Sequence, residues 1–88
     1  MNYIQKARDI LAKKIDVEDD LLDLYTLLVF STGVDTELMD VHDAWAIWRN
    51  KTDPRHKSLI PFSELTQETQ ELDRKYLEAI RATAEEIG

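Results

Sequence analysis

Trp45 and Trp48 are the two tryptophans of the chain, and a spacing of three puts them on one side of a single helix. Arg49, Lys51, Arg55, His56 and Lys57 follow at once. An indole at the edge of a core beside cations and free amides has the parts of a site for a flat anionic ligand. The ring stacks on a base, and the cations take phosphates. The plainer readings are core packing for the indoles and a solvated loop surface for the cations. Other chemistries are poorly supplied. His42 and His56 are the only histidines, and His-Glu-x-x-His is absent. A His–His–carboxylate metal site is geometrically open but unsupported; a helical His42 hydrogen-bonded to the following loop is simpler. Ser31, Ser58 and Ser63 lack a Gly-x-Ser-x-Gly context. Gly33 and Gly88 are the only glycines, too few for a phosphate-cradling loop. Without cysteine there is no thiol catalysis, disulfide or Cys-ligated metal. The expectation is a protein that is not an enzyme and holds no metal or cofactor.

The elements that must position these residues read as helices. Asn2 is a good N-cap for a first helix carrying Ile4, Ala7, Ile10, Leu11 and Ile15 at helical spacing, with Lys13 and Lys14 in its last turn. Asp16 is placed to cap a second, with Glu18, Asp19 and Asp20 in its first turn. Its apolar body is Leu21, Leu22, Leu24, Tyr25, Leu27, Leu28, Val29 and Phe30, apolar almost all round after residue 24, which predicts the central, most buried helix. Gly33 suits a left-handed C-terminal residue. A third helix is predicted over 37–50, capped by Asp35 or Thr36, with Leu38, Val41, Trp45 and Trp48 on one face. Asp53-Pro54 and Ile60-Pro61 make residues 51–62 irregular. Leu59, Ile60 and Phe62 should pack that loop onto the core. A last helix is predicted over 67–86, capped by Thr66 or Ser63. Its inner face is Leu72, Tyr76, Ala79, Ile80, Thr83 and Ile87, and its outer face includes Arg74, Arg81 and a Glu71–Lys75 pair.

The fold class is therefore all-α: a compact four-helix domain with a structured, proline-containing loop between the last two helices. Its 88 residues suffice for one domain with a thin core. Hydrophobic residues are 43% and charged residues 33%, as in a globular chain. No apolar run reaches the roughly 18 residues of a membrane span. The opening residues carry no signal-peptide stretch, so the cytoplasm is the expected location. Eleven Lys and Arg against eighteen Asp and Glu give a net charge of −7. Nine of the acids (Asp16, Glu18, Asp19, Asp20, Asp23, Asp35, Glu37, Asp40 and Asp43) lie in a stretch ending at Trp48 that has no Lys or Arg. An acidic body argues against nucleic-acid binding, which needs bases to neutralise phosphates.

Val41-His42-Asp43-Ala44-Trp45-Ala46, then His56-Lys57-Ser58-Leu59-Ile60-Pro61-Phe62-Ser63-Glu64-Leu65, then Leu72-Asp73-Arg74 resemble the RyR domain. That module is repeated in ryanodine receptors and occurs singly in bacterial and phage proteins. The resemblance covers residues 41–85, leaving 1–40 as two N-terminal helices of the same domain. The whole chain also resembles small actinobacteriophage proteins that bring no established activity. Two departures lie beside the expected pocket. The connection over 49–55 is shorter than the family's, and Lys57 stands where the family has proline.

The resemblance implies a pocket that holds adenine nucleotides or aromatic small molecules against aromatic side chains. It would use Trp45 as an aromatic wall, His42 and His56 as hydrogen-bonding groups, and Asp73 and Arg74 from the next helix. Trp48 and Lys57 are added from the residue chemistry above. The competing structural reading has Asp73 and Arg74 tying the last helix to the loop. The function expected is non-enzymatic binding of a small nucleotide-derived ligand, in a phage setting the sequestration of a host defence signal. A homo-oligomer is expected, because so small a chain does not readily enclose a ligand and helix two has apolar residues on every side. The alternative is an acidic inhibitor or adaptor that meets a basic protein surface.

Overall fold

The computed structural model describes residues 2–88. The first helix, α1 (Tyr3–Ala12), starts where its cap predicts: the Asn2 side chain accepts from the Gln5 amide at 2.8 Å. Ala7 and Leu11 give it a fully buried stripe. Lys14 lies beyond its end and pairs with Glu86 at 2.7 Å, joining the two ends of the chain.

α2 (Asp19–Ser31) starts after Glu18, not at Asp16. Asp16 stays in the linker, and Asp19 and Asp20 occupy the first turn, where the helix dipole favours acids. α2 packs against all three other long helices and is central as expected. It is not buried all round. Leu21, Leu22, Tyr25, Thr26 and Val29 face the core, while Leu27 and Phe30 are exposed. Gly33 has the expected positive φ, +56°, and opens a 3₁₀ turn over Gly33–Asp35.

α3 (Leu38–Thr52) is capped by Glu37, whose amide donates to the Asp40 carboxylate at 2.9 Å. Thr36, one of the two expected caps, is fully buried instead; its hydroxyl donates to the Gly33 carbonyl at 2.7 Å and lies 2.6 Å from that of Thr32. Arg81, expected on an outer face, reaches this corner and donates to the Thr36 carbonyl at 2.7 Å. The expected Trp face points inward, with Val41 and Trp48 buried and Leu38 and Trp45 half-buried.

The last predicted helix is broken. α4 (Gln67–Glu71) and α5 (Arg74–Ile87) meet at Asp73, whose backbone sits at φ −90° and ψ 1°. Thr66 caps α4, its hydroxyl accepting from the Thr69 amide at 3.3 Å. The Gln70 amide group donates to the carbonyls of Phe62 and Leu65, which ties α4 to the loop. The break turns Leu72 outward, to 70% exposure, rather than onto the inner face. Leu77 and Ala84 join Ala79, Ile80 and Thr83 in the buried stripe of α5. Glu71 pairs with Arg74, not Lys75, through two bonds of 2.9 and 3.0 Å.

The result is an all-α domain with four helices of ten or more residues and no strand among the described residues. Side chains from α1, α2, α3 and α5 share one core, from Ala7 and Leu11 through Tyr25 and Trp48 to Ile80. The segment between α3 and α4 contains a second 3₁₀ turn, Phe62–Glu64. Leu59 and Phe62 are half-buried, but the Ile60 side chain stays exposed. No described helix is long and apolar enough to cross a membrane.

A candidate aromatic binding site between the second, third and fifth helices

The α3 stripe places Trp45 one turn before Trp48, and the α4–α5 break brings Asp73 across from it. Trp45 is half-buried and forms a wall between two hollows, of about 430 Å³ and about 220 Å³; Asp73 lines both.

The smaller hollow collects much of the residue set expected from the sequence: His42, Trp45, His56 and Asp73, with Ser58 and Leu72 at its edges. His42 is 3% exposed, and its Nε2 lies 2.8 Å from the Ile60 carbonyl oxygen. A carbonyl only accepts, so Nε2 carries the proton. This is the bond to the following loop that the sequence suggests, made by the main chain of a residue whose side chain stays outside. The His42 ring stacks on Trp45 at 5.7 Å and tilts against Phe62 at 6.2 Å. His56 meets Trp45 edge-on at 5.1 Å, and its Nδ1 accepts from the Ser58 amide at 3.0 Å. That bond leaves Nδ1 unprotonated and puts the neutral ring's proton on Nε2.

The larger hollow draws half of its lining from the part of the chain before Trp45. Asp16 and Glu18 stand in and beside the linker, Val17 and Leu21 supply apolar walls, and Tyr25 and Tyr76 supply rings stacked at 5.6 Å. Trp48 is buried, at 8% exposure, and lines this hollow too. The Arg49 guanidinium lies over the Trp48 ring at 4.5 Å and within 5.8 Å of Trp45. Two polar atoms of residues in this wall are buried without a hydrogen-bond partner among the described residues, the Tyr25 hydroxyl and Arg49 Nε.

Burial pushes the Tyr25 phenol well above its ordinary range, and the nearby Asp73 carboxylate and Tyr76 act in the same direction. Burial also raises Asp73, with His42 opposing. Asp73 begins α5 but makes no side-chain capping bond to it, so the carboxyl is not occupied in holding its own helix.

Two members of the expected set lie elsewhere. Arg74 is engaged by Glu71 and lines a different groove, beside Phe62 and Arg81. Lys57 is exposed and lines neither hollow; nor do Lys51 and Arg55. The cation against the indoles is Arg49. Sequence reasoning missed Asp16, Glu18, Tyr25 and Tyr76. The one signal for Tyr25 was a phenol within the helix expected to be most buried, since a buried tyrosine needs a partner for its oxygen.

Among the described residues no three or more His, Cys, Asp or Glu side chains gather to hold a metal ion. No curated protein and no solved structure matches the chain. A family model does, over residues 1–85, which takes in every residue named in either hollow; by it the chain belongs to the family described as Domain of unknown function (DUF7701).

Proposed function

We propose that the protein binds a small nucleotide-derived ligand, without transforming it, in the aromatic basin around Trp45. One observation carries the reading. A half-buried indole stands between two hollows, with histidines lining one, an arginine lining the other and Asp73 lining both. An aromatic face with polar groups converging around it is the usual build of a small-molecule site. The RyR-like pattern over residues 41–85 supports the same reading, because four of its five site residues, His42, Trp45, His56 and Asp73, meet in the smaller hollow. In this reading the protein acts in the cytoplasm, and a phage-encoded copy withholds a defence signal from its host.

Native mass spectrometry of freshly purified protein tests this, with a denatured aliquot as control. A co-purifying mass of a few hundred daltons, lost on denaturation, is the expected result. A clean apo mass, unchanged by a panel of nucleosides and mono-, di- and cyclic nucleotides, refutes it. The same spectrum tests a homo-oligomer. Tyr3, Ile4, Leu27 and Phe30 form an exposed apolar patch across α1 and α2, with Tyr3 and Phe30 in edge contact at 5.3 Å, and a second copy would cover it.

A second reading rests on the acidic surface. Of the nine acids in the base-free stretch, all but Asp40 are exposed, as an inhibitor of a basic protein would require. Arg8 already neutralises part of that surface, bonding Asp23 at 2.7 Å and Asp19 at 3.3 Å. Charge reversal at Asp20, Asp35 and Asp43 should abolish such an interaction and leave ligand binding intact. A partner whose affinity ignores salt would count against it.

A further inference from the structure

The larger hollow carries more information about its occupant than the smaller one. Tyr25 is fully buried, and its hydroxyl, which can both donate and accept, has no partner among the described residues. Arg49 Nε is a donor in the same position, in a guanidinium whose face is held against Trp48. Buried polar groups are nearly always satisfied, so two orphans in the residues of one wall point to something that satisfies them; both atoms are covered in this structure, so an occupant meets them only after the Tyr25 and Arg49 side chains shift. The remaining polar lining is acceptor-rich: Asp73 on the wall, with Asp16 and Glu18 exposed. The rest is aromatic and aliphatic, with Trp45 and Tyr76 as ring faces.

These groups ask for a planar ring with one acceptor, for the Arg49 N–H, beside several N–H donors, for the carboxylates. Three carboxylates and one guanidinium disfavour a phosphate in the hollow itself. A guanine edge meets the demand, with a carbonyl oxygen next to a ring N–H and an exocyclic amino group. Adenine offers fewer donors to the same acceptors.

Resting on the ligand-binding reading above, we propose that the larger hollow seats a guanine-type base against Trp45. The Tyr25 hydroxyl and Arg49 Nε supply its hydrogen bonds, and Asp73 accepts from its N–H groups. The base, not the phosphate, is what this protein reads.

Tryptophan fluorescence and calorimetric titrations with guanosine, inosine, adenosine and guanosine 5′-monophosphate test the assignment. Guanosine should bind, and the monophosphate no more tightly. Inosine, lacking the amino donor, should bind about 3–10-fold more weakly, the worth of one hydrogen bond. Tyr25→Phe and Arg49→Lys should each weaken guanosine by about the same factor, with folding checked by thermal melts. Tyr25→Phe keeps the ring, so its effect on binding separates the hydroxyl from the packing. Wild-type protein that ignores guanosine, or binds it no better than adenosine, overturns the base assignment. So does guanosine affinity unchanged in both variants. If another nucleoside or nucleotide binds, in this panel or in the native mass spectra, the broader ligand reading stands; if those spectra also show a clean apo mass throughout, both fall.

Discussion

The Tyr25→Phe substitution should stabilise the free protein while it harms the site. The Tyr25 ring is fully buried and stacks on Tyr76 at 5.6 Å, contacts that phenylalanine keeps. The hydroxyl makes no hydrogen bond among the described residues. Leaving a buried group of this kind unpaired costs about 1–3 kcal/mol, which its removal restores. Against that stands the void of one oxygen atom, smaller than the methylene whose loss in Ile→Val costs about 0.5–1.5 kcal/mol. The net expectation is a gain of about 1 kcal/mol, or about 4–8 °C in a domain of this size. Urea unfolding at neutral pH, followed by tryptophan fluorescence and circular dichroism, measures it. An alkaline series adds a signature. The folded phenol titrates above its ordinary value of 10.0. The native state therefore holds this proton after the unfolded state has lost it, and stability falls as pH rises past about 10. Tyr25→Phe should remove that part of the alkaline loss. A variant less stable than wild type by 1 kcal/mol or more would show that the hydroxyl is bonded in the folded protein. The case for an unsatisfied wall would then collapse.

Other substitutions probe the scaffold around the basin. His42→Ala removes the bond to the Ile60 carbonyl and the contacts to Trp45 and Phe62. It should cost about 2–3 kcal/mol and speed hydrogen exchange over residues 56–66; undiminished protection there would mean that His42 does not hold the loop. Burial raises Asp73 above its ordinary value of 3.8, so this group's penalty is present at neutral pH and disappears as pH falls through its folded value. Asp73→Asn should therefore raise the urea midpoint at pH 7 but not below about pH 4; an equal effect at both would contradict the charge argument. Gly33→Ala meets only an ordinary contact, 3.8 Å from the Ala84 Cβ, so its cost is the positive φ of the backbone. That is about 1–2 kcal/mol less a partial offset from the unfolded state, and the melting temperature should fall accordingly. Arg81→Met keeps the stem and loses the 2.7 Å bond to the Thr36 carbonyl. A loss of about 1.5–3 kcal/mol is expected for a charged donor, and a neutral result in urea would make that corner self-sufficient.

Features set by neighbours in sequence were legible in advance. The Asn2 cap, the left-handed Gly33 and the Trp-bearing face of α3 all depend on residues within a turn or two. So did the all-α class, since repeated helical spacing and scarce Gly and Pro act locally. The helix starts were less exact. Glu18 and Glu37 hold the N-cap positions where Asp16 and Thr36 have the better intrinsic preference; Asp16 stays exposed in the linker, and Thr36 turns into a buried hydroxyl pair. The α4–α5 break also had a local trace, since aspartate is a favoured first residue outside a helix. The apolar spacing of Leu72 with Tyr76 pointed the other way. Packing of α4 onto the loop through Gln70 decided the matter, and Leu72 was left outside.

The candidate site divides along the same line. Sequence by itself put Trp45 and Trp48 on one helical face and marked His42 for the following loop, because periodicity assigns each side chain an angle about its own axis. It could not say which cation would meet the indoles. Arg49 does so because it shares their helix; Lys57 and Arg74, equally charged, end up exposed and paired with Glu71 respectively. Nor could it show that Asp16, Tyr25 and Asp73, far apart in the chain, line one hollow with Trp45. That follows from how α2, α3 and α5 cross, and from a core that shelters the Tyr25 ring while leaving its oxygen without a partner. Helix periodicity acts over a few residues, whereas the satisfaction of a buried polar group is settled only when distant segments close around it.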